Sequence, residues 1–136
     1  MFFKKIKRWK FLAFHDALTK LLNRNWFYEN KKFIKTKYVY FIDINNLHKI
    51  NKDGHAYGDE HIKRIIKQIQ DIPLFKEEKL IRYAGDEFLL FSNRLNLLST
   101  NEFISVGFSV IEDDVNEAIN VADKEMLRSK KERKKL

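Results

Sequence analysis

Apolar residues recur with helical spacing in three parts of the chain. Isoleucines between 59 and 72 follow an i, i+3, i+4, i+7 pattern, which predicts an amphipathic helix that ends at Pro73. The segment 23–35 carries aromatic and aliphatic residues among polar ones, and Asn23 is a suitable N-cap for a helix there. A last helix is predicted from Val115 onward, and its C-terminal part is basic.

Between these helices the pattern changes to short runs of β-branched, aromatic and other apolar residues. The run YVYFIDI predicts a buried strand at 38–44, and FISVGFSVI predicts another at 103–111. The runs KLIRY and EFLLF are separated only by Ala84-Gly85-Asp86, which indicates a β-hairpin. The predicted order, α-β-α-β-β-β-α, indicates an α+β domain with helices packed on a mainly antiparallel central sheet.

The first 14 residues, MFFKKIKRWKFLAF, form a basic amphipathic segment. As a helix it places Phe2, Ile6, Trp9 and Ala13 on one stripe, with basic residues elsewhere. Its apolar residues are interrupted too often for a secretory signal or a transmembrane helix. We expect residues 1–14 to rest on a membrane surface, to pack on the domain or to contact a second subunit, while residues 15–136 form one folded domain.

Composition and charge narrow the class of protein. The 136 residues include no cysteine, which excludes disulfides, thiolate metal sites and cysteine nucleophiles and is consistent with a cytoplasmic location. The net charge is +8, and the basic residues cluster at the two ends of the chain. Such ends are suited to a polyphosphate, a nucleic acid or an anionic membrane, although basic helix ends are also commonly just solvated.

Three acidic residues fall at the ends of predicted strands. Asp43 lies near the end of the 38–44 strand, and Asp86 and Glu87 lie at the tip of the predicted hairpin. If these strands are neighbours, the carboxylates converge at one edge of the sheet. Clustered oxygen ligands suit Mg²⁺, which keeps positions open for phosphate and water. Acids at strand ends and turns are also often only solvated, so the residues alone leave both interpretations open.

Six motifs follow one another along the chain. They are DALTKLLNR (16–24), FIDINNLHKIN (41–51), GHAYGD (54–59), RYAGDEF (82–88), SVG (105–107) and a final run containing Ala122, Asp123 and Lys130. Together they resemble the GGDEF family of diguanylate cyclases, and the similarity spans about Asp16 to Lys135. The resemblance implies a palm-like nucleotidyl cyclase domain, in a minimal, stand-alone member with an AGDEF motif.

The resemblance also implies which residues do the chemistry. Asp43 and Asp86 match the family's metal-binding carboxylates, and the backbone carbonyl of Ile44 matches the accompanying ligand. Glu87 matches the acid that assists at the metal and helps to activate the attacking 3′-hydroxyl. Gly85 matches the position where the hairpin must approach the nucleotide without a Cβ.

Further positions match residues that bind the substrate. Asn51 and Asp59 match the pair that recognises the guanine edge. His48 stands at a phosphate-contacting position, where the family usually has a lysine. Lys130 and Lys134 match basic residues that hold the terminal phosphates, and at Lys134 the family has an arginine with a bidentate fork.

Several other positions depart from the family pattern. Ala84 replaces the first glycine of the motif, and this replacement is harmful only if the position needs positive φ. Asn45 stands where the family has a second aspartate, and Lys20 replaces a glycine in the first motif. The segment between Asn51 and Gly54 is one residue shorter than usual, which is expected to shift the guanine pocket relative to the metal.

Two departures concern regulation and size. The family's product-inhibition motif, RxxD, falls on Phe75 to Glu78, and a phenylalanine cannot act as the arginine does. We therefore expect no feedback inhibition at that site. Between the strands only NRLNLLST is available where the family normally carries a helix. Because no sensor or receiver domain is expected before the domain, we expect activity to be constitutive, set by dimer concentration, or governed by a partner of the N-terminal segment.

The resemblance implies an enzyme that condenses two GTP into cyclic di-GMP with Mg²⁺ or Mn²⁺. Each subunit binds one GTP, so turnover requires a homodimer. One alternative is a degenerate GGDEF domain that binds GTP or cyclic di-GMP and regulates a partner. Another is a palm-type cyclase of the minimal CRISPR-polymerase kind that makes a different cyclic dinucleotide. A basic nucleic-acid-binding module would explain the charge but not the acids, and no nucleic-acid partner is expected.

Overall fold

The buried run at 38–44 becomes an interior strand of a five-stranded sheet. The computed structural model describes residues 2–135. The strands are β1 (Leu22–Asn23), β2 (Tyr38–Ile44), β3 (Lys79–Arg82), β4 (Glu87–Ser92) and β5 (Ile104–Val110). The helices are α1 (Phe2–Phe14), α2 (Arg24–Asn30), α3 (Leu47–Asn51), α4 (His55–Gln70) and α5 (Val115–Lys135), and a 3₁₀ turn, Lys31–Phe33, follows α2.

The sheet has the strand order β1-β3-β4-β2-β5. β2 pairs antiparallel with both β4 and β5, and β3 pairs antiparallel with β4. Only the two-residue β1 runs parallel to its neighbour, β3. The predicted α+β class, the strand at 38–44 and the hairpin are confirmed.

Two helix predictions need correction, and two short elements were missed. The helix predicted over 23–35 ends at Asn30 and tightens into the 3₁₀ turn, although Asn23 does cap it by accepting from the Trp26 N–H at 2.9 Å. The helix predicted from about 59 begins at His55, because Gly54 at φ 121° provides the sharp turn before it. Strand β1 and helix α3 were not predicted, since two and five residues are too short to show periodicity.

Apolar side chains cover both faces of the sheet. On one face the isoleucines of α4 pack on residues such as Tyr40, Ile42 and Leu90. On the other face α2 and α5 pack on the alternate residues of the same strands, including Phe41 and Leu89. Burial on both faces explains why the strands read as continuous apolar runs rather than as alternating ones.

Gly107 lets α5 lie directly against the sheet. A Cβ at this position would stand 1.8 Å from the carbonyl oxygen of Ala122 and 2.3 Å from the backbone nitrogen of Met126. Real side chains do not tolerate such distances to backbone atoms. The glycine of the SVG motif is therefore required by the close packing of β5 and α5.

An ion pair between the partly exposed Arg94 and the buried Glu78 anchors the short segment that follows β4. The carboxylate of Glu78, buried in the fold, accepts hydrogen bonds from Arg94 at 2.5 Å, from the Phe75 N–H at 2.7 Å and from the Ser92 hydroxyl. Arg94 also lies over the Phe75 ring at 4.1 Å. At the RxxD position, Glu78 thus has a structural role, and the absence of feedback inhibition stays a prediction.

No helix within residues 2–135 is long and apolar enough to cross a membrane.

We expect Gly107→Ala to lower the free energy of unfolding by about 3 kcal/mol, because α5 must move away from β5 to admit a methyl group. Urea denaturation of the purified protein measures the change. Gly85→Ala is the matched control, since an added Cβ there meets no atom within 4 Å. Equal stability of the two variants would contradict the close packing of α5 on β5.

Candidate active site

The antiparallel pairing of β2 with β4 brings the three predicted acids to one edge of the sheet. Asp43 and Glu87 are directly opposite each other in the ladder. Asp86, which precedes Glu87, lies in the hairpin turn, and its carbonyl accepts a hydrogen bond from the Ile44 N–H at 2.9 Å. The turn is therefore bonded to the end of β2, which keeps the Asp86 carboxyl group close to that of Asp43.

Burial and the repulsion of neighbouring carboxylates disfavour ionisation of Asp43 and Glu87. Burial raises the pKa of Asp43, the hydrogen bond from Lys130 opposes that shift, and the nearby Asp86 raises the pKa further. Burial also raises the pKa of Glu87, with added contributions from Asp86, Asp123 and Asp43. A cluster of partly buried carboxylates that repel one another favours the approach of a cation.

Lys130 supplies one such positive charge. Its ammonium nitrogen lies 2.7 Å from Oδ2 of the buried Asp43. This ion pair connects α5 to the end of β2, eighty-seven positions away in the sequence. The predicted phosphate-binding lysine therefore contacts a predicted metal ligand directly.

A second ion pair positions the hairpin turn. Arg82 donates to the Gly85 carbonyl at 2.7 Å and to both carboxylate oxygens of Asp16 at 3.1 Å. Asp16 also accepts from the backbone N–H and the hydroxyl of Thr19, each at 2.8 Å. Burial acts to raise the pKa of Asp16, but the hydrogen bonds from Thr19 and Arg82 outweigh it and lower the pKa. The first motif thus supports the turn that carries Asp86.

Ala84 and Gly85, the two small residues of the hairpin turn, do not have a strained backbone conformation. Among residues 2–135 positive φ occurs at Lys20, Asn46, Asn96 and Gly54, and Ala84 is not one of them. The alanine in place of glycine therefore costs no backbone strain. Lys20 does adopt φ 64°, a conformation that glycine reaches more easily, so this departure from the family pattern carries a small cost.

A cleft of about 230 Å³ opens beside the acids. Its lining consists of Ile44, Asn46, Leu47, His48, Lys49, Asp86, Lys130, Arg133 and Lys134. Three of the predicted substrate-binding residues, His48, Lys130 and Lys134, thus share one cleft with Asp86. Its lining combines one carboxylate with several cationic side chains, a combination that suits a metal-bound polyphosphate.

Arg133 is a cleft residue that we did not predict. Its Nε is buried without a hydrogen-bond partner, and within residues 2–135 its guanidinium group forms no ion pair. The spacing of Lys130, Arg133 and Lys134, i, i+3 and i+4, could have shown that all three share a helix face. This spacing was not distinctive, because the end of the chain is rich in basic residues.

The predicted guanine pair lies outside the lining of this cleft. Asn51 packs on α4 so closely that a Cβ at Gly58 would lie 1.8 Å from its Oδ1. Asp59 is the next residue of α4 and is exposed. The structure therefore brings Asn51 to the turn of α4 that carries Asp59, separately from the acids at the sheet edge.

Asn45 has a structural role. It is buried, its Nδ2 donates to the carbonyls of Asn101 and Glu102 at 3.0 and 3.3 Å, and its Oδ1 accepts from Ser105 at 2.7 Å. An aspartate here would lose both donated bonds. The asparagine thus fastens the short 99–103 segment to the end of β2.

Comparison with known proteins identifies this arrangement. Residues 13–104 match the family "Diguanylate cyclase, GGDEF domain". The chain belongs to the GGDEF domain family. This range includes the acids of this GGDEF domain but not α5, so the placement of Lys130, Arg133 and Lys134 rests on the structure.

Curated relatives are similar over part of their length. The chain is 38% identical over 80 residues to a probable diguanylate cyclase, DgcI, of Escherichia coli strain K12, covering 56% of this chain and 18% of that protein. It is 32% identical over 93 residues to the probable diguanylate cyclase DgcT of the same strain, covering 63% of this chain and 20% of that protein. The GGDEF domain thus spans about a fifth of these relatives.

Solved structures share the fold. A microbial GGDEF domain described in a novel mode of interaction with cyclic di-GMP is 26% identical, with a TM-score of 0.68, covering 87% of this chain and 93% of that one. The coiled coil and GGDEF domain of DgcB from Caulobacter crescentus, in complex with c-di-GMP, is 19% identical, with a TM-score of 0.74. The match covers 94% of this chain and 86% of that one.

The donor groups fit a hard divalent cation in part. Asp43 and Asp86 present carboxylates close to each other, and the Ile44 carbonyl belongs to the same strand end. Within residues 2–135, no three acidic or histidine side chains are grouped closely enough to hold a metal by themselves. Mg²⁺ commonly takes one or two carboxylates and completes its shell with phosphate and water, so this donor set is sufficient when a nucleotide is bound.

We expect Glu87→Gln to stabilise the metal-free protein at pH 7 by about 1 kcal/mol, a typical gain from relieved charge repulsion. Because the pKa of Glu87 is raised on folding, its stabilising contribution is present below the unfolded-state pKa and is lost as the pH rises through the folded-state pKa. The gain should therefore shrink toward pH 4.

Denaturation with a chelator at both pH values measures this difference, with the exposed Glu77→Gln as control. A less stable Glu87→Gln variant at pH 7 would contradict the clustering of carboxylates.

Proposed function

We propose that this protein is a diguanylate cyclase that condenses two GTP into cyclic di-GMP and pyrophosphate. One observation carries the proposal: Asp43 and Asp86 lie together at the sheet edge and adjoin a cleft lined by basic residues of α5. A carboxylate pair beside a cationic cleft suits nucleotidyl transfer, in which a metal and basic side chains share the charge of a triphosphate.

The acidic residues of the site would bind the metal, and the basic residues would bind the phosphates. Asp43, Asp86 and the Ile44 carbonyl would hold Mg²⁺ or Mn²⁺, which supplies positive charge that polarises the α-phosphate and makes a 3′-hydroxyl easier to ionise. Lys130 and Lys134 bind the terminal phosphates and balance the charge of the leaving pyrophosphate. Lys130 pairs with Asp43 in this structure, and it would turn from Asp43 to the phosphates when Asp43 holds a metal.

Glu87 takes the proton in each condensation. The 3′-oxygen of one GTP bonds to the α-phosphorus of the other, and the bond from that phosphorus to the pyrophosphate oxygen breaks. The hydroxyl proton passes to the Glu87 carboxylate, whose raised pKa makes it a better base than an ordinary glutamate. Two such steps close the ring, so two subunits must face each other, and we propose a homodimer as the active form.

Guanine selection is assigned to Asn51 and Asp59. An exposed carboxylate at Asp59 is free to accept hydrogen bonds from the N1–H and 2-amino groups of guanine. Contact between Asn51 and the Gly58 region of α4 supports a joint role for the pair. With His48 and Gly85 placed at the cleft and the turn, the substrate would extend from α4 to α5.

The Asp43–Lys130 ion pair favours a second candidate function. A carboxylate already paired with an ammonium group binds a metal less readily, which would suit a non-catalytic domain that binds GTP or cyclic di-GMP and regulates a partner. The related diguanylate cyclase SiaD of Pseudomonas aeruginosa, 18% identical with a TM-score of 0.72, has been solved with its activator SiaC. A protein partner is thus a further proposal for this chain.

We expect Asp86→Asn to reduce cyclic di-GMP formation at least about 100-fold, because the metal loses a charged ligand. GTP binding measured without metal should be unchanged, since the basic cleft stays intact. The control is Asp71→Asn, an exposed carboxylate at the end of α4. Product formation by Asp86→Asn at the control's rate would contradict the site assignment, and a wild-type protein that binds GTP without turnover would favour the second candidate.

We expect Arg133→Met to weaken the binding of GTP and of pyrophosphate about 10- to 100-fold, as lost charge-assisted hydrogen bonds do. The reason is that Arg133 lines the cleft and supplies the bidentate fork that Lys134 lacks. Arg128→Met is the matched control on the same helix, because Arg128 is exposed and paired with Glu125 at 2.7 Å. Isothermal titration calorimetry compares them, and equal affinities would remove Arg133 from the substrate site.

A further inference from the structure

Helix α1 has no buried residue, and most of its apolar stripe is exposed. Phe2, Phe3 and Trp9 are 73%, 77% and 72% exposed. Exposed aromatic rings of this size are uncommon on a monomeric surface, and several on one helix indicate an interaction site.

The domain holds only the C-terminal end of α1. Asn23 and Asn25 donate hydrogen bonds to the Ala13 carbonyl at 2.9 and 3.2 Å, and His15 stacks on Phe11 with ring centroids 3.9 Å apart. No comparable hydrogen bond within residues 2–135 holds the first two turns of the helix. The exposed rings at its beginning are therefore available to a surface outside the domain.

The charge of α1 has a single sign. The helix carries Lys4, Lys5, Lys7, Arg8 and Lys10, and the first acidic residue of the chain is Asp16. Phe2, Ile6, Trp9 and Ala13 form one apolar stripe, and the rest of the helix surface carries the basic residues together with exposed apolar side chains such as Phe3 and Phe11. A partner of α1 must therefore accept both an apolar stripe and a dense positive charge.

We propose that α1 binds to the surface of an anionic membrane and lies parallel to it, with the apolar stripe in the lipid interface. Tryptophan and phenylalanine are suited to the boundary between headgroups and acyl chains, and each basic residue near an anionic surface strengthens binding about fivefold. This role is independent of the proposed cyclase activity, since it involves neither the acids nor the cleft.

The charge and the exposed aromatic residues of α1 disfavour two other partners, a second copy of the chain and a nucleic acid. Paired α1 helices of two subunits would bring ten basic side chains together without an acid to balance them, which disfavours a second copy. A nucleic acid would satisfy the basic residues but would leave the exposed aromatic stripe in water. An anionic lipid surface satisfies both features.

Sedimentation with lipid vesicles tests the proposal on the full chain. We expect binding to vesicles of phosphatidylcholine mixed with phosphatidylglycerol and little binding to phosphatidylcholine alone. The triple variant K4Q/K7Q/K10Q should bind the anionic vesicles about 100-fold more weakly. The matched control, K35Q/K67Q/K76Q, removes the same charge from exposed positions outside α1 and should bind like the wild type.

Tryptophan emission identifies the segment that meets the lipid. A blue shift on vesicle addition should disappear in Trp9→Phe, which keeps an aromatic ring and should still sediment with the vesicles. Equal binding to neutral vesicles, or equal losses in the two triple variants, would overturn the proposal.

Two further results would assign α1 to another partner. Failure to bind vesicles, together with a change of oligomeric mass in K4Q/K7Q/K10Q, would show that α1 contacts a second copy. Tighter binding to a DNA duplex than to anionic vesicles at the same salt concentration would indicate a nucleic-acid surface. Neither measurement needs nucleotide turnover, so its outcome is separate from that of the cyclase proposal.

Discussion

The ion pair between Lys130 and Asp43 is the contact on which the candidate site depends. Its 2.7 Å bond places the basic face of α5 against the end of β2, where a buried carboxylate requires a positive charge. Because Arg133 and Lys134 follow on the same face of the helix, holding Lys130 also brings both of them to the cleft. The charge balance of the site is thus set by how one helix packs on one strand.

The rest of the fold maintains that packing. Gly107 allows the backbone of α5 to pack directly against β5. Asn45 and Arg94 form hydrogen bonds that hold the short segment before β5. On the other side of the site, Arg82 ties the turn of the hairpin to Asp16. The short connections therefore rely on side-chain hydrogen bonds, which hold the elements that carry the carboxylates.

Local sequence patterns were sufficient for the four longer strands, and the family resemblance then pointed to the acids at their ends. The apolar run at 38–44 and the hairpin around 84–86 have clear signals, and antiparallel pairing then forces Asp43 next to Glu87. Arg133 and Arg94 could not be assigned in the same way, since their partners lie far along the chain or in a cleft. The direction in which a basic side chain of a lysine-rich helix points depends on tertiary packing, which periodicity alone does not describe.

The identity of the product tests the central claim most directly. The purified protein is incubated with Mg²⁺ or Mn²⁺ and with GTP, ATP or a mixture of both, at concentrations high enough for dimers to form, and the products are identified by mass spectrometry. Formation of cyclic di-GMP from GTP, with no mixed product when ATP is present, is the predicted result. A different cyclic dinucleotide would contradict the assignment of Asn51 and Asp59 to guanine, and the absence of any product would contradict the proposed cyclase activity.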